Sequence, residues 1–233
     1  MSWPVRSMRQ REALSETWRI FPTNPQAPIH LRAIWPKGVP GERLTKNITF
    51  NARDYPTVAD RQAAFEGKAL QLNALGYNIY LCLNSVDPSF PGDERNGLAV
   101  KDEHIRCRRY LLIDIDRTET NEPISDDEVD DVLAVVDRVE TDLRAMYGYE
   151  PLTVFSGNGG HIYIPLENIP NTPESKALCQ SILRALAEKY DTPTVKIDTS
   201  VYNAGRITKV PGTVARKGLE TEERPYRMAH VVE

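Results

Sequence analysis

Two aspartates one residue apart close the apolar run Tyr110-Leu111-Leu112-Ile113-Asp114-Ile115-Asp116. A strand alternates its side chains, so Asp114 and Asp116 share one face while Ile113 and Ile115 pack on the other. Carboxylates this close repel one another unless a proton or cation intervenes, and oxygen ligands suit a hard divalent ion such as Mg2+ or Mn2+. A solvated strand end would have the same pattern. A second stretch, Ser156-Gly157-Asn158-Gly159-Gly160-His161, links two short apolar runs. Dense glycine lets backbone N–H groups turn toward an anion, and His161 emerges at the loop's far edge, in reach of the same anion. Asn-Gly equally favours a plain hairpin turn. No Gly-Lys-Ser/Thr follows and the next element is a strand, which excludes a Walker A loop. A third stretch, Thr194-Val195-Lys196-Ile197-Asp198, again ends in an aspartate and supplies a candidate third carboxylate. The fourth is Arg206-Ile207-Thr208-Lys209-Val210-Pro211-Gly212-Thr213. Strict pleating sends Arg206 and Lys209 to opposite faces, so both reach one ligand only through a bulge or twist.

The elements that must position these residues are marked by local signals. Ile29 to Trp35 and Lys46 to Asn51 read as two strands joined by a loop rich in Pro and Gly. Thr57 with Asp60 has capping-box spacing, and the helix it opens stops at Gly76; Tyr77 to Leu83 then reads as a buried strand. Ser125 with Glu128 is a second capping box, with Ile124 and Val129 as its hydrophobic staple. Valines and leucines follow at helical spacing until Gly148. Thr172-Pro173 opens a third helix. The basic run Arg106, Arg108 and Arg109 before the first aspartate strand suits either a solvated flank or a phosphate contact.

The chain has 233 residues, 40% hydrophobic and 27% charged, the balance of a globular domain with a sizeable core. No apolar stretch is long enough to cross a bilayer and the first residues lack a signal-peptide core, so no membrane role and a cytoplasmic location are expected. Three cysteines without a Cys-x-x-Cys pair argue against a disulfide framework and against zinc within this chain. The net charge is −4, but eleven acidic and two basic residues between Thr118 and Glu150 account for −9 of it, leaving +5 elsewhere. Basic residues cluster at Arg6, Arg9 and Arg11, and again at Arg206, Lys209, Arg216 and Lys217. A nucleic-acid partner is compatible with that distribution provided it avoids the acidic helix.

Taken in order, Asp-x-Asp at a strand end, Ser-Gly-Asn-Gly-Gly-His between strands, an apolar-Asp, and Arg-x-x-Lys-x-Pro-Gly-Thr resemble the primase-polymerase domain of the archaeo-eukaryotic primase superfamily, in its bacterial, phage and plasmid form. The resemblance covers roughly residues 77 to 227. It implies an α/β fold of two fused modules within one catalytic domain. One is an N-terminal α/β unit over about 1–105; the other, over about 106–227, resembles an RNA-recognition fold, and the site lies in the cleft between them. It further implies that Asp114, Asp116 and Asp198 bind two divalent ions, Mg2+ or Mn2+. Ser156, Gly157, Asn158, Gly160 and His161, helped by Arg206 or Lys209, would hold the incoming nucleotide. The activity implied is template-directed transfer of NTPs or dNTPs to a 3′ hydroxyl on a DNA template and primer, with a helicase or zinc-binding segment supplied from outside this chain. The alternatives are a metal-dependent nuclease and a catalytically silent replication-initiator module that binds DNA.

Overall fold

In the computed structural model, the described residues are 10–21, 24–119, 121–148 and 151–232. Arg6 and Arg9 of the first basic cluster lie outside them. In chain order the elements are α1 (Gln10–Ser15), α2 (Thr17–Ile20), β1 (Ile29–Ile34), β2 (Lys46–Phe50), α3 (Val58–Ala74), β3 (Asn78–Cys82), β4 (Cys107–Arg117), α4 (Asp126–Tyr147), β5 (Leu152–Phe155), β6 (Gly160–Pro170), α5 (Pro173–Tyr190), β7 (Val195–Ile197), β8 (Ile207–Lys209), β9 (Val214–Ala215), β10 (Arg227–Met228) and β11 (His230–Val231).

The helix starts follow their caps. Thr57 accepts the amide of Asp60 at 3.1 Å, Ser125 and Glu128 cap each other reciprocally, and Thr172 accepts the amide of Ser175 at 3.3 Å. Gly148 ends α4 in the left-handed conformation with φ 68°, a position a side chain would strain.

The strands form two main antiparallel sheets, β2-β1-β3-β8 and β11-β5-β6-β4-β7, with a separate β9–β10 pair. The central pair of the second sheet is β4 with β6, the longest strands in the chain at 11 residues each. On one face of that pair, Ile113, Ile115 and Ile162 are fully buried in the core that also holds Val132, Val136 and Val139 of α4. Gly160 lets α4 approach the strand, because a Cβ there would lie 2.5 Å from Val136 Cγ2. On the opposite face stand Tyr110, Leu112, Asp114 and Asp116 of β4, with His161 and Tyr163 of β6 beside them. The tyrosine end of this face is covered by Phe21, whose ring centroid is 5.1 Å from Tyr163 and 5.8 Å from Tyr110. The aspartate end is the part of the sheet left for chemistry.

β8 is the element whose placement the strand pattern does not announce. It follows four strands and two helices of the second half, yet it pairs with β3 as the edge of the first sheet, Tyr80 opposite Lys209 and Leu81 opposite Thr208. The three cysteines are free, with Cys82 and Cys179 buried. Among the described residues no helix is long and apolar enough to cross a membrane.

Candidate active site

Asp114 lies opposite His161 in the β4–β6 register, and its Oδ1 is 3.3 Å from His161 Nε2. On its other flank the amide of Asp198 donates to the Asp114 carbonyl at 2.8 Å, continuing the β4–β7 register one step past Ile115–Ile197. His161, Asp114 and Asp198 therefore form a row across three strands, with Asp116 two residues along from its centre. The row exists because β4 is paired on both sides at its acidic end.

His161 is fixed from behind. Its Nδ1 lies 3.2 Å from Thr208 Oγ1 and 3.3 Å from Tyr163 OH, and those two hydroxyls are 2.6 Å apart. Its Nε2 faces the Asp114 carboxylate, while Nδ1 lies within hydrogen-bond distance of both hydroxyls. Thr208 belongs to β8, so the imidazole bridges the two sheets.

The carboxyls differ in their surroundings. Burial pushes Asp114 up, but the neighbouring His161, then Arg206 and Lys217, outweigh it and hold Asp114 below its ordinary value. Asp116 is pushed up to about 6, first by burial and then by the charge of Asp114, with Asp198 adding to it. On β3, burial pushes the Tyr80 phenol up to about 12, and the charges of Asp114 and Asp116 add to it.

The turn between β5 and β6 packs directly on this site. A Cβ at Gly159 would collide with the Asp116 carboxylate and the Ile115 carbonyl, and one at Gly157, where φ is 94°, would meet Ala215 Cβ at 2.5 Å. Within the turn, Ser156 Oγ accepts the amides of Gly159 at 3.0 Å and Asn158 at 3.4 Å, and the Ser156 amide donates to Gly159 O at 2.8 Å. Asn158 Oδ1 accepts the amide of Ile124 at 3.2 Å. Three of the loop's N–H groups are thus engaged internally, and the turn is a closed hairpin connection pressed between Asp116 and β9. Gly160 is already part of β6, opposite Phe155 and Ile115.

The two cations of the fourth motif separate as pleating requires. Arg206 Nη2 donates to Ser200 O at 3.2 Å, and its charge helps to hold Asp114 down. Lys209 points to the other side of β8, buried against Tyr80 and Asn78. Thr208 between them carries the contact to His161. In the upstream basic run, Arg106 pairs with Asp87, and Arg108 is buried with Nη1 donating to Tyr202 O at 2.7 Å; neither is placed for a phosphate.

Oxygen donors at Asp114 and Asp116, side by side on one strand face, fit a hard divalent cation. Asp198 is near without converging. Its Oδ1 accepts the Ser200 amide at 2.7 Å, and among the described residues no group of three His, Cys, Asp or Glu side chains is gathered to hold a metal ion. Thr208, Tyr80 and Lys217 are the site residues that motif reading passes over, and only the alternation around β8 hinted at Thr208.

No family model and no curated protein matches this chain. Solved structures do. The AEP domain of the primase-polymerase of cyanophage S-2L is 16% identical, with 96% of this chain and 89% of that chain covered at a TM-score of 0.52. The primase RepB′ is 15% identical, with 97% of this chain and 56% of that chain covered at a TM-score of 0.51. This chain shares the fold of those two structures, a mixed α/β architecture built on antiparallel sheets.

Proposed function

We propose that this chain is a template-directed nucleotidyltransferase, a primase-polymerase that joins NTPs or dNTPs to the 3′ hydroxyl of a primer on a DNA template. The observation that carries the proposal is the meeting, on this fold, of an acidic strand end, a doubly anchored histidine and the cation-bearing β8. Phosphoryl transfer asks a protein chiefly to position its reactants and neutralise charge, and the cleft supplies both signs of charge side by side.

In this reading Asp114 and Asp116 would hold divalent ions, Mg2+ or Mn2+, with Asp198 as the third carboxylate, whose Oδ1 also accepts the Ser200 amide. Those ions supply Lewis-acid neutralisation of the triphosphate and a lowered pKa at the attacking hydroxyl. Ser156, Gly157, Asn158 and Gly160 shape the turn that sets His161 at the cleft. His161 and Arg206 face the nucleotide's phosphates, with Thr208 and Tyr163 orienting the imidazole, while Lys209 stays on the other side of β8. The two sheets act as two modules of one catalytic domain.

A second reading is a DNA-binding module without turnover, favoured by the lack, among the described residues, of three His, Cys, Asp or Glu side chains gathered for a metal ion. A template-extension assay, run with and without primer, with NTPs or dNTPs and with Mg2+ or Mn2+, separates the two. Extension that disappears when both Asp114→Ala and Asp116→Ala are introduced, in protein that still folds, supports the polymerase. DNA binding without incorporation of any nucleotide supports the silent module.

A further inference from the structure

The loop between β7 and β8 has no strand or helix of its own, yet site residues stand at both ends, Asp198 at its start and Arg206 at its finish. The β4 backbone fixes the start, where the Asp198 amide donates to Asp114 O at 2.8 Å. Side chains from elsewhere fix the finish. Asp102, in the short turn 102–104 before β4, accepts the Gly205 amide at 2.9 Å and the Asn203 side-chain amide at 3.3 Å through one oxygen, Oδ1. The Asn84 side chain donates to Ala204 O at 2.9 Å, and the buried Arg108 donates to Tyr202 O at 2.7 Å. Residues 202, 203, 204 and 205 are thus each bonded in turn to a side chain of the segment 84–108.

A loop held at every residue keeps its shape without a ligand, and what it carries is placed in advance. Val201 and Ala204 are buried, and a Cβ at Gly205 would lie 2.9 Å from the Lys101 carbonyl carbon and 3.1 Å from the Asp102 nitrogen. The loop is therefore pressed onto the turn that holds Asp102. Its bond to Gly205 lies immediately before Arg206. On the far side of that residue Arg206 O accepts the Leu83 amide at 2.8 Å, and Nη2 reaches back to Ser200 O at 3.2 Å. The charge so placed is felt at Asp114. Burial pushes the Asp102 carboxyl up, but the Gly205 amide and Asn203, then Lys176 and Arg108, outweigh it and hold Asp102 below its ordinary value. A displacement of about 1 Å, caused far from the reacting atoms, is enough to cost a site much of its binding or rate.

We propose that Asp102 is a positioning residue for nucleotide binding: by holding Asn203 and Gly205 it sets the Arg206 guanidinium toward the acidic end of β4. The inference rests on the polymerase reading for what Arg206 meets there, while the clamp itself stands on the hydrogen bonds to residues 202–205.

The test is steady-state primer extension by the full chain at saturating primer and template with the nucleoside triphosphate varied, alongside calorimetric titration of the same triphosphate in Mg2+ without primer. Asp102→Ala should raise both KM and the dissociation constant about tenfold, the scale of a lost charge-assisted hydrogen bond, and leave kcat within about threefold. Gly205→Ala, which pushes the loop off the turn from the other side, should do the same. Asp102→Asn keeps an oxygen for the Gly205 amide and should recover most of the affinity. Lys176→Met removes the outer ion pair of Asp102 at 3.6 Å and should leave KM at the wild-type value. Asp102→Asn and Asp102→Ala lose the same charge, so a difference between them reports the bond to the loop. Wild-type KM and dissociation constant in both Asp102→Ala and Gly205→Ala would overturn the proposal, as would an Asp102→Asn variant that binds as weakly as Asp102→Ala. Extension by the wild-type protein would leave the polymerase reading standing in either case. Wild-type protein that binds the triphosphate, about tenfold more tightly than Asp102→Ala does, but extends no primer would keep the positioning role and remove the polymerase reading.

Discussion

The acidic and the basic sides of the candidate site are built in contrasting ways. The acidic side stands on β4, an 11-residue strand paired along both flanks, so ladder hydrogen bonds set where Asp114 and Asp116 point. The basic side stands on β8, three residues long, and on the segment that follows it, where Asn78 and the β3 edge do the positioning. Charge on the first side is held by regular secondary structure, and on the second by tertiary contacts from distant parts of the chain. Substitutions on the acidic side should therefore abolish function and spare the fold, whereas those on the basic side should mix the two effects.

Asp114→Asn is the strongest test of that contrast. It keeps the shape and removes one charge, and primer extension should fall by about a thousandfold or more with an unchanged thermal melt. A melt that drops sharply would show that the acidic side also carries stability.

Glu128 ties the sides together, because the carboxylate that caps α4 also receives Arg224 from the segment beyond β9 at 2.7 and 3.0 Å, and Arg117 from the end of β4. Arg224 first, then the Ser125 amide and Arg117, lower it to about 2. A depressed carboxyl stabilises the fold above its unfolded value near 4.5 and ceases to do so as pH falls toward 2. Partial exposure screens the pair, so Glu128→Gln should cost about 2 kcal/mol at pH 7 in urea unfolding. The difference from wild type should close as pH falls from about 4.5 to 2. A gap that stays constant with pH would assign the loss to packing.

Thr208→Val removes one hydroxyl behind His161 and should lower kcat/KM about tenfold, with Tyr163 left as the imidazole's remaining partner. Thr208→Ser should recover most of the activity, which a purely structural role for the methyl group would not allow.

The smallest effect on stability belongs to Lys209→Met. A depressed amine binds fewer protons than the unfolded chain between about 7 and 10.5, so wild-type stability should rise with pH across that window. The methionine variant should lose that slope and stay within about 1 kcal/mol of wild type at pH 7. A wild-type profile that is flat between those pH values would contradict the buried, unpaired state of the amine.

How much of this was legible in the chain follows the same division. Thr57, Ser125 and Thr172 mark their helices because a cap acts within four residues, and the β1–β2 and β5–β6 pairs declare themselves through alternation and a short link. Asp114, Asp116 and His161 could be picked for the same reason. Nothing local says that residues 207–209 leave the second sheet and pair with β3. Thr208 and Tyr80 therefore look like ordinary strand residues, and Lys217 like a cation suited to solvent or to a nucleic-acid backbone. Arg108 misled in the opposite direction: it sits in a basic run, but a β-bulge between Arg108 and Tyr110 and a carbonyl from residue 202 take it inside. The Asx turn at Asp198 was equally hidden, since the aspartate that closes a strand and the one that caps Ser200 are written with the same letter.

Because β8 is laced into the sheet opposite the one its chain neighbours occupy, the halves of the cleft cannot be separated by cutting the polypeptide at one point. A fragment that stops before residue 206 would strip the outer hydrogen bonds from β3 and leave the imidazole without its threonine. The same lacing governs motion, since the sheets can part only by breaking the Thr208–His161 contact, and a jaw that opened to admit a substrate would reset the histidine each time it shut.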